Sequence, residues 1–310
     1  MVKILHNAFI YINKNRYYIV PSVLIIFGVM MLAIFGFGQN QVKKTIVDRK
    51  FAERIMQAGE RDQPKIPPMP KGEQRNYLAI NNKLVPILMY HHIREYTGDN
   101  KIEAGLSTSP ALFSEQLDWL KEKGFHTITF SDLFTGKVED KSIILTFDDG
   151  YRDNYEVAYK KLKENGQKGD FFVFTGAIGA SEAFLTKDMI KEMSDYGMEF
   201  GSHTINHVDM SVADKETLAT QLSGSKSVLE GITGKKVEFL CYPSGKYNAL
   251  AEAEAKAAGY KAAVTTRPYA DSSNLYEIPR IRMNPGTPTE GLSLSIRGYL
   301  LSSDRYSWTF

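Results

Sequence analysis

Ser142-Ile-Ile-Leu-Thr-Phe-Asp-Asp-Gly150 is the stretch that decides the fold of this chain. Its first residues form an apolar run that is typical of a buried strand, and Gly150 marks a sharp exit from that strand. Asp148 and Asp149 therefore stand side by side at the carboxyl end of a buried strand. Because two adjacent carboxylates in such a place need a cation or a proton between them, the stretch predicts a functional site there.

A pair of histidines follows about 50 residues later, in His203-Thr-Ile-Asn-His207. The His-x-x-x-His spacing predicts that both imidazoles lie on one face of a helical turn, which is a common way to hold a transition metal. Together with the two aspartates, the histidines indicate one hydrolytic metal site. One carboxylate is expected to be a metal ligand and the other a base.

Strands and helices are predicted to alternate from Leu84 onward. The predicted strands are 85–90, 127–130, 142–147, 171–174, 198–202, 237–242, 262–266 and 278–283. The predicted helices are 110–123, 155–165, 187–196, 214–232 and 248–258. Alternation implies parallel strands with helices outside, and the number of units suggests a closed or nearly closed barrel. An open doubly wound sheet is the alternative.

The polar motifs all fall at the carboxyl ends of predicted strands. They are Asp148-Asp149, His203, the Pro243-Ser-Gly turn and His91. In a parallel α/β barrel, active sites form on that face. The placement therefore favours one site that is shared by the four motifs.

The N-terminal part of the chain is predicted to lie outside this domain. No charged residue occurs between Arg16 and Lys43, and an apolar helix of roughly 20 residues is long enough to span a bilayer. Basic residues before it favour a cytoplasmic N-terminus. We expect a cytoplasmic segment at 1–16, one transmembrane signal-anchor at 17–38, an extracytoplasmic linker at 39–82 and the catalytic domain at 83–310. The domain would then lie at the bacterial cell surface, or be secreted if the apolar segment is a cleaved signal peptide.

Composition narrows the class of protein. The chain is 43% hydrophobic and 24% charged, which is typical of a globular domain with a large core. A net charge of +2 gives no electrostatic argument for a nucleic-acid partner. Cys241 is the one cysteine, so an intramolecular disulfide is excluded, and we interpret it as a small buried apolar residue.

Thr146-Phe-Asp-Asp-Gly150 followed by His203-Thr-x-x-His207 resembles the polysaccharide deacetylases, that is, carbohydrate esterase family four with its NodB-homology domain. The resemblance covers about residues 84–285, including Tyr242-Pro-Ser-Gly-Lys-Tyr-Asn248. It implies a distorted (β/α)7 barrel. It also implies the removal of acetyl groups from an N-acetylated sugar polymer with a divalent metal, most often Zn²⁺, with Co²⁺ or Ni²⁺ as alternatives.

The resemblance assigns roles residue by residue. Asp149, His203 and His207 are the implied metal ligands, which leaves a position for water. Asp148 is the implied general base. A turn is implied to bind the substrate and its oxyanion, with the backbone N–H of Ser244 as the favoured donor. The residues of this turn are Tyr242, Pro243, Ser244 and Gly245.

Two departures from the family pattern bear on the acid and the base. The family commonly has an arginine where this chain has Cys241; Arg280 is the favoured substitute and Arg282 the alternative. No histidine follows His207, but Ile87-Leu-Met-Tyr-His91 has the form of the family's late histidine motif. This resembles the branch that acts on poly-N-acetylglucosamine and related envelope glycans. His91 is therefore the predicted general acid and His92 the less favoured one, because His91 shares a strand face with Ile87.

The predicted function is a metal-dependent hydrolase of amide bonds in a polysaccharide, acting on N-acetylglucosamine residues of an envelope or extracellular polymer. Two alternatives stay open. An O-acetyl (xylan-type) esterase would use the same metal site with less need of an acid. A degenerate glycan-binding module would explain the arginine missing from the third motif.

Overall fold

A computed structural model of the chain describes residues 79–80, 83–267, 274–289, 291–293 and 295–296. The strands in these ranges are β1 (Ala79–Ile80), β2 (Lys83–Leu84), β3 (Ile87–Tyr90), β4 (His92–Ile93), β5 (Ser107–Thr108), β6 (His126–Thr127), β7 (Ser142–Asp149), β8 (Asp170–Val173), β9 (Glu199–Ser202), β10 (Phe239–Cys241), β11 (Ala262–Val264) and β12 (Ile281–Arg282). The α-helices are α1 (Lys101–Leu106), α2 (Pro110–Glu122), α3 (Phe130–Phe134), α4 (Lys160–Asn165), α5 (Lys187–Tyr196), α6 (Lys215–Thr233) and α7 (Ala249–Ala257). A π-helical segment, Asn154–Tyr159, leads into α4, and Pro243–Gly245 is a short 3₁₀ turn.

The central sheet is parallel and curves back toward its own start. Its strand order is β11-β10-β9-β8-β7-β3-β12, with β6 paired to β7 beside this path. Ile278, which precedes β12, forms a parallel bridge with Val264 of β11. Backbone pairing therefore continues from the β12 end of the order to the β11 end. This confirms the predicted parallel α/β architecture of the (β/α)-barrel type.

The helices begin and end where their sequence signals stand. The Ser109 side chain accepts a hydrogen bond from the Leu112 backbone N–H at the start of α2, and Pro110 occupies the first turn. Helix α5 ends at Gly197, whose φ of 118° is the left-handed conformation that glycine adopts without a Cβ penalty. Both helices match the predicted spans to within one residue at each end.

Alternation along β7 decides which side chains face the site. Ile144 packs in the apolar cluster inside the sheet, whereas Leu145 and Phe147 pack in the cluster toward the helices. Because side chains alternate along a strand, Thr146 and Asp148 share the inner face with Ile144. All eight residues of β7 are buried. Burying each large apolar side chain contributes about 1.5–3 kcal/mol, so the strand that carries the carboxylates is firmly held.

The predicted segments 1–16 and 17–38 lie outside the described residues, as does the predicted linker 39–82 apart from Ala79–Ile80. Within the ranges that the structure describes, no helix combines the length and the apolar character that a membrane span requires.

Candidate metal centre

The exit of β7 is a sharp left-handed turn that aims two carboxylates at different partners. Asp149 has a φ of 73° and Gly150 a φ of 75°. A Cβ on Gly150 would lie 2.7 Å from Cγ1 of Val173, so only glycine fits there. Asp148 thus keeps the inward direction of the strand, while Asp149 turns toward the next strands of the sheet.

The two histidines lie on an irregular turn after β9, so the predicted helical turn is wrong. Thr204 and His207 have φ values of 66° and 53°, which no right-handed helix contains. The turn is held by Gln221 of α6, whose Oε1 accepts hydrogen bonds from the backbone N–H groups of Ile205 and Asn206. The imidazole centroids of His203 and His207 nevertheless come within 4.8 Å of each other. A tight turn therefore achieves the convergence that the spacing predicted for a helix.

Asp149, His203 and His207 offer three donor atoms to one point. Their ligand atoms all lie within 4.8 Å of one another. Nε2 of His203 and Nε2 of His207 are 3.4 and 3.5 Å from Oδ1 of Asp149. Two ligands of a tetrahedral zinc ion, each at about 2.0–2.1 Å, are separated by about 3.3–3.4 Å. The donor types and their spacing therefore fit a single divalent ion of the zinc type, with a fourth position for water.

The surroundings orient these donors. Nδ1 of His203 lies 2.7 Å from the Cys241 carbonyl oxygen, which accepts its N–H and leaves Nε2 free to bind a cation. Burial opposes protonation of His203, but the hydrogen bond to Asp149 and the charge of Asp148 outweigh it and raise the pKa of His203 well above its ordinary value. A proton shared between His203 and Asp149 is therefore stabilised. The same electrostatics favour a metal cation at this point.

Arg280 is the ion-pair partner of Asp148. Nη1 and Nη2 of the fully buried guanidinium each donate to one oxygen of Asp148 at 2.7 Å. Burial alone would raise the pKa of Asp148, but the Arg280 charge outweighs it and holds the pKa below its ordinary range. Asp148 is therefore ionised at neutral pH. Arg282, the alternative partner, lies two residues further on in β12 and is exposed.

The Cys241 side chain contacts the guanidinium of Arg280. Nη2 of Arg280 is 3.1 Å from its Sγ, and that Sγ is 3.5 Å from Oδ2 of Asp148. Asp148, His203 and Cys241 also have metal-ligand spacing, but the positive guanidinium already satisfies Asp148 there. Burial raises the pKa of the Cys241 thiol, which favours a neutral group. The second cluster is thus an ion pair with a thiol neighbour rather than a metal site.

His91 and His92 face different partners. Nε2 of His91 lies 3.8 Å from Oδ2 of Asp148, which brings its imidazole to the site. His92 turns away, and its Nδ1 lies 2.6 Å from Oδ2 of Asp153. Burial, partly offset by the Asp148 and Asp149 charges, lowers the pKa of His91 below its ordinary value.

Only some of the predicted substrate-binding residues in the turn after β10 are exposed. The Tyr242 ring is fully buried and stacks on Tyr247 at 4.3 Å, and Pro243 is buried as well. Neither side chain is exposed to solvent. Ser244 is exposed with a φ of 53°, and Gly245 has a φ of 68° where a Cβ would lie 2.1 Å from Oγ1 of Thr266. Ser244 and the Gly245 backbone are therefore the part of this turn that a ligand can contact.

Comparison with known proteins agrees with this geometry. The sequence profile of the family described as polysaccharide deacetylase matches residues 135–263. A candidate polysaccharide deacetylase of Bacillus subtilis strain 168, YxkH, is 30% identical over 270 residues, which cover 83% of this chain and 94% of that protein. The chain belongs to the polysaccharide deacetylase family.

Two further relatives extend the match. The poly-beta-1,6-N-acetyl-D-glucosamine N-deacetylase of Staphylococcus aureus strain MSSA476 is 28% identical over 240 residues, covering 68% of this chain and 80% of that protein. The structure of the Streptococcus pyogenes deacetylase PplD in complex with acetate superposes with a TM-score of 0.64 at 33% identity, covering 68% of this chain and 97% of PplD. These matches confirm the predicted family and the prediction of a hydrolase of amide bonds.

Sequence reasoning missed residues that support this polysaccharide deacetylase site. Oγ1 of Thr146 accepts from Nη1 of Arg280 at 3.0 Å, and the inward position of Thr146 two residues before Asp148 was the available signal. For Tyr151 it was the contacts that were not predicted: its phenol interacts with Asp149, and its ring stacks on His92 with centroids 3.4 Å apart. Asp153 had no signal in the sequence, because its partner lies 61 residues away.

Proposed function

We propose that this chain is a divalent-metal-dependent N-deacetylase that removes acetyl groups from N-acetylglucosamine residues of an envelope or extracellular polysaccharide. One observation carries the proposal. Three converging donors, Asp149, His203 and His207, lie beside an ionised carboxylate that a buried arginine fixes in place. The poly-beta-1,6-N-acetyl-D-glucosamine deacetylase among the relatives supports the substrate class.

Asp149, His203 and His207 would hold the ion, for which Zn²⁺ is proposed and Co²⁺ or Ni²⁺ are alternatives. When bound, such an ion lowers the pKa of a coordinated water toward about 7 and polarises the acetamide carbonyl. Asp148 accepts a proton from the attacking water as the oxygen of that water bonds to the acetamide carbon. The backbone N–H of Ser244 is proposed to bind the developing oxyanion.

His91 completes the reaction at the nitrogen. The C–N bond breaks as His91 donates a proton to the leaving amine, so that acetate and a free amino sugar are released. At rest His91 is neutral because burial lowers its pKa. The proton that Asp148 has accepted therefore supplies His91, whose Nε2 lies 3.8 Å from Oδ2 of Asp148. Atoms and charge balance over the cycle.

Membrane attachment is part of the same proposal. We propose that the distorted (β/α)7 barrel is anchored by a helix at 17–38 and acts outside the cytoplasmic membrane. The apolar composition of that segment supports this placement. Protease accessibility of the domain in intact cells tests it, and a domain protected from added protease would refute it.

The esterase alternative rests on the same metal ligands. An ester needs less protonation of its leaving group than an amide, so a remote histidine would favour it. Nε2 of His91 lies 3.8 Å from Oδ2 of the proposed base, so the histidine is not remote from the site, which favours amide chemistry. The binding-module alternative rested on the missing arginine, and the Arg280 contact with Asp148 removes that argument.

The test is acetate release from poly-N-acetylglucosamine and chitooligosaccharide by the full chain, with Zn²⁺ and with a chelator. We expect release that a chelator abolishes and added metal restores. His207→Ala provides the matched loss of one ligand. Tight glycan binding without acetate release would refute an enzyme, and release from acetylated xylan alone would favour the esterase.

A further inference from the structure

The segment that leaves β7 holds the chain at 91–93 through its own side chains. The Asp153 carboxylate accepts from the backbone N–H of Ile93 at 2.9 Å and contacts Nδ1 of His92 at 2.6 Å. Nδ2 of Asn154 donates to the carbonyl oxygen of His91 at 2.7 Å and to Oδ1 of Asp153 at 3.1 Å. Two consecutive side chains therefore bind three consecutive residues, His91 to Ile93, at the junction of β3 and β4.

This contact is built into the interior of the protein. Asn154 is fully buried and His92 nearly so. The Tyr151 ring lies flat on the His92 ring at a centroid distance of 3.4 Å. A π-helical segment begins at Asn154, and π-helical turns are frequent at functional sites. The clasp, meaning Tyr151, Asp153 and Asn154, is thus continuous with the turn that carries Asp148.

The His91 side chain is only 12% exposed, and among the described residues it is held by packing rather than by a hydrogen bond to its ring. Among the contacts described for its ring, the nearest charged group is Asp148, 3.8 Å from Nε2, which is longer than a hydrogen bond. The position of the imidazole therefore depends on the backbone at His91 as well as on packing, and Asn154 binds the carbonyl oxygen of that residue. Because acid catalysis needs a donor within about 3 Å of the nitrogen, a small displacement of this backbone matters.

We propose that Asn154 and Asp153 are positioning residues that place His91 against the leaving nitrogen. This inference rests on the proposed deacetylase function, in which His91 is the acid. Asn154 acts directly through the His91 carbonyl. Asp153 acts by fixing the Asn154 amide, the Ile93 N–H and the His92 ring, so that the backbone on both sides of His91 is held.

The test separates acid catalysis from the rest of the site. Asn154→Ala, His91→Ala and the double variant are compared on a chitooligosaccharide amide and on 4-nitrophenyl acetate, whose phenolate leaves without a proton. We expect Asn154→Ala to lower the ratio of amide to ester turnover about 10- to 100-fold, as a misplaced group does. In the His91→Ala background the same change should lower it by less than about twofold. Asn165→Ala, at the end of α4, is the matched asparagine control.

Zn²⁺ affinity and melting temperature are measured for each variant. An equal loss on amide and ester, or a full loss in the His91→Ala background, overturns the proposal. If Asn154→Ala does not fold, Asp153→Asn decides, because it keeps an acceptor for Ile93 and removes the negative charge that contacts Nδ1 of His92. A wild-type ratio in folded Asp153→Asn overturns the proposal. Absence of amide turnover by the wild-type chain with Zn²⁺ refutes the deacetylase function instead.

Discussion

Replacing Arg280 by methionine should expose the cost of a buried, unpaired carboxylate. The guanidinium makes two 2.7 Å hydrogen bonds to Asp148 and one of 3.0 Å to Thr146, while its Nε donates to the carbonyl oxygen of Thr265 at 3.0 Å. Both Arg280 and Asp148 are buried from solvent. Methionine has a similar length but no charge, so Asp148 loses its partner while it stays desolvated.

The expected loss in the free energy of unfolding follows from the burial of this ion pair. Removing one partner of a buried ion pair costs about 3–5 kcal/mol, which corresponds to roughly 6–20 °C in melting temperature for a domain of this size. The size of this loss in stability depends on pH. In the wild type the pKa of Asp148 is below its unfolded value of about 3.9, so the stabilisation is present above that pH and lost as pH falls. Without Arg280, burial raises the pKa of Asp148, so stability falls as pH rises.

Thermal unfolding of the full chain, with Zn²⁺ present and from pH 4 to pH 8, measures both effects. The gap between wild type and Arg280→Met should widen with pH, and amide turnover at neutral pH should fall at least about 100-fold. Arg282→Met, at an exposed position two residues further along the chain, is the matched control and should keep its melting temperature within about 2 °C. A gap that is constant with pH, or turnover equal to the wild type, would refute the reasoning.

Three other substitutions test separate parts of the structure. Gly150→Ala should lower the free energy of unfolding by about 1–3 kcal/mol and reduce turnover, because its Cβ would meet Val173; denaturant unfolding equal to wild type would contradict this. His207→Ala should weaken Zn²⁺ binding at least about 100-fold without unfolding the domain, as measured by metal titration, and unchanged affinity would exclude it as a ligand. Burial and Glu199 raise the pKa of Asp170, so the stability that its protonated form contributes is lost as pH rises. Asp170→Asn should therefore have a higher melting temperature than wild type, by a margin that grows from pH 4 to pH 8. A margin that shrinks over this range would contradict the expected direction.

The sequence was informative wherever a local signal determines a local structure. The predicted span of α5 matches the observed helix to the residue, and in the structure Thr186 caps its start and Gly197 ends it. The choice between His91 and His92 followed from the alternation of side chains along β3, and the structure places His91 toward Asp148. Both results depend on signals within a single helix or strand and on no contact with a distant part of the chain.

The histidine turn shows where such reasoning stops. Equal spacing on a helix and on a tight turn brings two imidazoles together, so the sequence pattern cannot distinguish them. Gln221 supplies the deciding contacts, because its amide oxygen satisfies two backbone N–H groups of the turn that a helix would pair internally. That residue lies on α6, after the turn, and only the packing of α6 against β9 brings it there.

The partner of the base is a problem of sheet closure rather than of motif. Arg280 reaches Asp148 across 132 residues because β12 pairs with β3, and β3 pairs with β7. A sequence that lacks an arginine at Cys241 therefore keeps the ion pair, provided that another strand of the barrel brings a guanidinium to the same inner position. The Sγ of Cys241, 3.1 Å from Nη2 of Arg280, marks the space that a side chain from β10 would otherwise fill. It follows that a small residue at 241 and an arginine at 280 depend on each other, and that Cys241→Arg alone would force two guanidinium groups into one buried site, which is destabilising because like charges repel strongly where solvent is excluded.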